Sequence, residues 1–129
     1  MRILIDTNRY RDFCEGDPVA VDVFRRAYEI HLPLIVVAEL RAGFAVGTRS
    51  RTNEETLHRF LHRSRVRVAL PDLDTTHHYA QLFRQLRSQG TPIPTNDIWI
   101  AALALQNELV LFTRDEHFDH VPQIPRMHP

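Results

Sequence analysis

Four carboxylates stand at informative places in this chain: Asp6 in "ILIDTN", Glu39 in "VVAELRAGF", Asp97 in "PTNDIWIAA" and Asp115 in "LVLFTRDEHF". Carboxylates held close together raise one another's pKa and repel unless a cation lies between them. Oxygen-only ligands select Mg2+ or Mn2+, and such ions activate water and stabilise charge developing on a phosphate. The set therefore points to metal-assisted phosphodiester chemistry, provided the fold gathers the four acids. Thr7, Asn8 and Thr113 flank them with hydroxyl and amide groups that orient a carboxylate or a water. Each of the three also has a plain structural reading, because such residues cap helices and form turns.

Asp97 directly precedes eight apolar residues, Ile98 to Leu105, which predict a helix buried on nearly every side. Asn96 or Thr95 is expected to cap that helix, and a carboxylate in its first turn is favoured by the dipole. Alone, Asp97 reads as ordinary helix chemistry. Glu39 does not reduce so easily: its neighbours three and four positions away are Ile35, Val36, Ala42 and Gly43, none of which pairs with it. Asp6 and Asp115 each have a turn or capping role as the simpler alternative.

The elements that must position these acids alternate along the chain. "ILI" (3–5) is a short apolar run of the kind found in buried parallel strands. The spacing predicts a helix over 18–30, opened by Pro18. "LPLIVV" (32–37) reads as a second strand running into a helix that Gly47 stops. A helix over 52–62 is capped by Thr52 or Asn53, "VRVAL" (66–70) is a strand, and a helix over 74–90 runs from Asp74 to Gly90. "LVLF" (109–112) is the last clear strand; 118–129, with three prolines, is mostly loop with at most a short edge strand. Alternation of this kind predicts a parallel sheet with helices on both faces, which binds ligands beyond the carboxyl ends of its strands. Asp6 and Asp115 follow strands, and Glu39 and Asp97 lie early in helices, so all four are expected at that edge.

The bulk numbers agree with an ordinary globular domain. The chain has 129 residues, 43% hydrophobic and 25% charged, and is expected to form one domain over 1–129. No apolar run approaches a membrane span, and the start "MRILID" has none of the features of a signal peptide. The single cysteine, Cys14, has no internal partner, which suits a reducing compartment. All 16 basic residues are arginine, and residues 41–70 hold seven of them against two acids. Arginine suits phosphate because its planar fork donates two hydrogen bonds at once, so this local excess suggests an anionic partner.

The four acidic pieces, at 3–8, 36–44, 94–102 and 109–118, resemble those of the PIN-domain ribonucleases, in particular the VapC-type toxins of bacterial toxin–antitoxin pairs. The resemblance implies a PIN-like fold with a five-stranded parallel sheet in the order 3-2-1-4-5. It implies a cytoplasmic, Mg2+- or Mn2+-dependent endoribonuclease that cuts structured RNA with a metal-activated water, leaving 5′-phosphate and 3′-hydroxyl ends. Asp6, Asp97 and Asp115 would hold the metal, with Glu39 as a further ligand or as the base that positions water. A VapB-like antitoxin and a homodimer are the implied partners. A non-catalytic PIN-fold module that binds RNA or protein is the alternative, although such a module is expected to have lost acids.

Arg9 and Arg11 stand where many relatives have small or apolar residues; they either touch RNA, meet an antitoxin, or sit on the surface, the last being the simplest. Arg41 and Arg114 are further candidates for RNA contact, Arg114 having a salt bridge as its alternative. His58 and His62 have zinc spacing without an "HExxH" motif, and so read as an exposed or RNA-facing helix surface. His117 and His120 beside Asp115 raise a mixed histidine–carboxylate site, which ranks low because carboxylates alone suffice for Mg2+. Trp99 reads as core or interface rather than as a base-stacking platform. No Ser-His-Asp set, P-loop or dinucleotide fingerprint is present. A phosphoreceiver domain would want a lysine, and a haloacid-dehalogenase-like phosphatase an aspartate in place of Asn8.

Overall fold

The computed structural model of the protein describes residues 1–128. In chain order the elements are β1 (Arg2–Ile5), α1 (Thr7–Cys14), α2 (Pro18–Arg26), β2 (Glu29–Pro33), α3 (Leu34–Val46), α4 (Ser50–Leu61), β3 (Val66–Ala69), α5 (Leu73–Gln89), α6 (Thr95–Gln106) and β4 (Val110–Phe112), followed by a 3-10 turn over Glu116–His120. The four strands pair in parallel in the order β3-β2-β1-β4, with Leu4 facing His31 on one side and Leu111 on the other. From β1 the chain steps twice in one direction and then returns to β1's other flank. Right-handed crossovers then put α1 to α4 on one face and α5 and α6 on the other.

Burial follows from this layering. Ile3, Leu4 and Ile5 are all 0% exposed, so both faces of β1 are covered and the strand is apolar without alternation. On the first face Phe13 stacks on Phe24 with ring centroids 4.4 Å apart, and Phe24 reaches Phe112 of β4 edge-on at 6.3 Å. On the other face α6 buries Ile98, Ile100, Ala101, Ala102, Leu103 and Ala104, which is why it is apolar all round.

The sheet has four strands where five were expected. The segment at the fifth position is reduced to a single parallel bridge between Leu111 and Arg126, made by Leu111 N–H to the Pro125 carbonyl (2.8 Å) and Met127 N–H to the Leu111 carbonyl (2.9 Å). Pro122 and Pro125 have no N–H to extend that ladder.

Other boundaries also differ. The second strand starts at Glu29, and "LIVV" belongs to α3, because Pro33 at φ −60° forms its N-cap. An apolar run cannot by itself separate a strand from the start of a buried helix. The helix expected over 18–30 ends at Arg26, where Ala27 is extended and the Arg65 guanidinium donates to the carbonyls of Phe24 (2.9 Å) and Ala27. Helix α1 is not among the elements the sequence pattern predicts. Helix α4 begins at Ser50, ahead of Thr52 and Asn53, with no side-chain cap. Helix α5 is opened by Asp72, not Asp74, through a capping box with Thr75, and is closed by Gly90 at φ +71°.

Candidate active site

Asp6 follows β1 and takes the N-cap position of α1. Its carboxylate accepts from the Thr7 N–H at 2.7 Å and from the Thr113 hydroxyl at 2.8 Å. That hydroxyl also accepts from Asn8 Nδ2 at 3.4 Å and from the Asp115 N–H at 3.0 Å. Thr113 lies just beyond β4, so the pairing of β1 with β4 is what brings Asp6 and Asp115 together. Asn8 completes the tie by accepting from the Arg114 N–H at 3.2 Å.

Asp97 sits in the first turn of α6, whose N-cap position is Pro94. Neither Thr95 nor Asn96 caps the helix. Buried to 9% exposure, Asp97 uses its carboxylate not as a cap but as acceptor for Nδ1 of His117 at 2.8 Å. The same nitrogen lies 3.0 Å from Oδ1 of Asp115, which also accepts the His117 N–H at 2.9 Å. One ligand atom from each of Asp97, Asp115 and His117 lies within 4.8 Å of the other two, the one such group among the described residues. Glu39 borders the cluster from α3 and accepts from the Thr7 hydroxyl at 3.3 Å.

Burial sets the electrostatics. Asp97 is pushed up to about 6, first by desolvation, with the charges of Asp115 and Asp6 adding and the His117 hydrogen bond opposing. Burial likewise raises Asp6, against its hydrogen bond from Thr113. Glu39 is raised by burial and then by the Asp6 charge, with hydrogen bonds from Thr7 and Asn96 opposing. His117 is raised above its ordinary value, chiefly by its hydrogen bond to Asp97.

This arrangement has a family. Residues 3–124 match the family model of the PIN domain. The chain belongs to the PIN-domain family. Within that family it is of the VapC type. The PIN domain is 38% identical over 121 residues to the plasmid stability protein StbB of Pseudomonas syringae pv. tomato, covering 88% of this chain and 87% of that one. It is 31% identical over 121 residues to the VapC ribonuclease Y4jK of Sinorhizobium fredii, covering 88% and 86%. The solved structure of VapBC-1 from nontypeable Haemophilus influenzae superposes with a TM-score of 0.83 at 26% identity, over 98% of this chain and 97% of that one.

The PIN domain brings Asp6, Glu39, Asp97 and Asp115 to one edge with Thr7, Asn8 and Thr113 between them, but it treats the arginines unequally. Arg9 does not lie open on the surface: its guanidinium stacks 4.3 Å from the Phe112 ring centroid and pairs with Asp12 at 3.3 Å. Arg114 is held by both oxygens of Asp12, at 2.8 and 2.9 Å, and in turn keeps that carboxyl below the usual range. Arg41 pairs with Glu54 at 3.1 Å. Arg11 is exposed and close enough to Glu39 for its charge to be felt there. Trp99 packs on Tyr79 of α5, ring centroids 4.6 Å apart, but is half-buried and lies outside the buried core, which is one of the two roles, core or interface, expected of it. His117 stands nearer the centre of the site than its place in the sequence predicts. Its signal was adjacency to Asp115 in "DEHF", but the sequence gives no sign that Asp97 would meet it.

Proposed function

We propose that this PIN domain is a divalent-metal-dependent endoribonuclease, the toxin of a toxin–antitoxin pair, acting in the cytoplasm as one domain on structured RNA. The observation that carries the reading is the convergence of Asp6, Glu39, Asp97 and Asp115 at the carboxyl edge of the sheet, in a chain whose relatives include a VapC ribonuclease. The donor set fits a hard divalent cation: carboxylates delivered from separate elements, one of them buried and pushed up to about 6 for want of solvation.

Asp6, Asp97 and Asp115 would hold Mg2+ or Mn2+, with Glu39 beside them. A bound ion supplies positive charge to the scissile phosphodiester and makes water more acidic. Thr113 and the Thr7 N–H fix the aim of Asp6, and Asn8 and Thr113 fix the loop that carries Asp115. Glu39, made more basic by burial and by Asp6, takes the proton of the attacking water. Water attacks the phosphorus in line with O3′, the P–O3′ bond breaks and O3′ leaves with a proton from solvent, so the products carry a 5′-phosphate and a 3′-hydroxyl. Arg11 would meet the RNA backbone beside Glu39, whereas Arg9, Arg41 and Arg114 would first have to leave their acidic partners. A VapB-like antitoxin and a second copy of the chain are the partners proposed, on the likeness to VapBC-1.

The test compares wild type with Asp97→Asn on total bacterial RNA, with Mg2+ or Mn2+ present or chelated, and sequences the new ends. Metal-dependent cuts lost in the folded variant support the reading. Protein-dependent 2′,3′-cyclic ends would sink the mechanism. Equal behaviour of the two proteins would favour a binding module instead.

A further inference from the structure

We propose that His117 is a nitrogen ligand of the cation site, its Nδ1 standing 2.8 Å from Asp97 and 3.0 Å from Asp115, and that the site therefore prefers Mn2+ to Mg2+; this rests on the metal-dependent reading above. The imidazole already occupies the position a cation's ligand would need, facing two carboxylates from different elements.

Its aim is built in from several sides. The His117 N–H is bonded to Asp115 Oδ1, which locks histidine and aspartate into one turn. Phe118, the next residue, is fully buried and pins that turn to the core. Arg126 grips the turn from the sheet side, donating to Asp119 and to the Asp115 carbonyl. Among the described residues no other histidine belongs to a group of three potential ligands. His120 is exposed and outside the cluster, and the Nδ1 of His62 lies 2.8 Å from the His58 carbonyl.

The consequence is one of donor type. Mg2+ is hard and keeps to oxygen, whereas an imidazole nitrogen among carboxylates suits Mn2+ and the later first-row ions. Binding would require Nδ1 to release its proton to solvent while Nε2 carries the ring's one remaining proton, so that a neutral imidazole would offer its Nδ1 lone pair to the ion.

Metal-free protein is titrated calorimetrically with Mn2+ and, separately, with Mg2+, and the Mn2+-loaded protein is examined by pulsed EPR for coupling to 14N. Wild type is expected to bind Mn2+ at least about tenfold more tightly than Mg2+ and to show imidazole nitrogen coupling. His117→Gln should lose the coupling and about tenfold in Mn2+ affinity while changing Mg2+ affinity less than about twofold. His117→Asp, with an oxygen donor, should move the preference toward Mg2+, and His120→Gln should behave as wild type. Bound Mn2+ without nitrogen coupling in wild type, or coupling that survives in His117→Gln, overturns the role of His117 and leaves the metal-dependent reading standing. If neither ion binds, both fall. The wild-type spectrum decides the matter even if a variant at position 117 does not fold.

Discussion

The Thr113 hydroxyl donates to Oδ2 of Asp6 at 2.8 Å across 107 residues of chain, and the Thr113 hydroxyl oxygen itself accepts the N–H of Asp115. One small side chain thus couples an acid at the start of the sequence to one near its end.

Replacing Thr113 with valine keeps the shape but leaves the buried Asp6 carboxylate short of a donor and the Asp115 N–H short of an acceptor. Thr113→Val is expected to lower unfolding stability by about 1–3 kcal/mol in urea titrations. Thr113→Ser should recover most of that loss. If valine and serine are alike, the hydroxyl is not what holds the two acids.

Asp97, at about 6 when folded against 3.8 when free, makes the metal-free protein hold a proton that the unfolded chain releases. Stability contributed by this group is therefore greatest below about pH 4 and falls as pH rises through about 6, by up to about 3 kcal/mol. His117, raised by its hydrogen bond to Asp97, acts with the same sign: its contribution is present below its ordinary value and is lost as pH rises through the higher folded one. In chelator, Asp97→Asn should flatten the fall in stability seen between about pH 4 and about pH 6 in wild type. Parallel curves for the two proteins would rule this out.

Arg65 lies in the basic 41–70 stretch, yet its guanidinium is given to the carbonyls of Phe24 and Ala27 at the end of α2. Arg65→Met should reduce stability by about 1–2 kcal/mol. RNA affinity and its dependence on salt should stay as in wild type. A weakened RNA complex with unchanged stability would reverse this assignment.

Arg11 and Arg114 separate an exposed arginine from one occupied by Asp12. Arg11→Gln is expected to lower the slope of log K against log salt by about 0.7–0.9, the share of one phosphate contact. Arg114→Gln should change it by less than about half as much. Filter binding of an RNA across a salt series reads both slopes.

The four acids and the strand-helix alternation were legible because each acid lies beside a strongly apolar segment, and a parallel sheet collects such ends at one edge. Boundaries were less so. "LIVV" gave its β-branched residues to a helix because Pro33 had already ended the ladder. The short α1 has only Tyr10 fully buried and so little apolar periodicity to betray it. Asp12 was unremarkable in sequence, and only folding shows that it occupies both Arg9 and Arg114. The meeting of Asp97 with His117 likewise depends on how α6 returns past the 3-10 turn, which spacing does not encode.

The single bridge at Leu111 has an energetic corollary. β1 is paired along both sides, whereas β4 is paired along one side and at one point on the other. Local opening begins where backbone hydrogen bonds are fewest, so the amides of Leu111 and Met127 should exchange with solvent before that of Asp6. The cluster is therefore mounted unevenly: Asp6 directly follows a strand paired along both sides, whereas Asp115 and His117 follow one paired along a single side and at one further point.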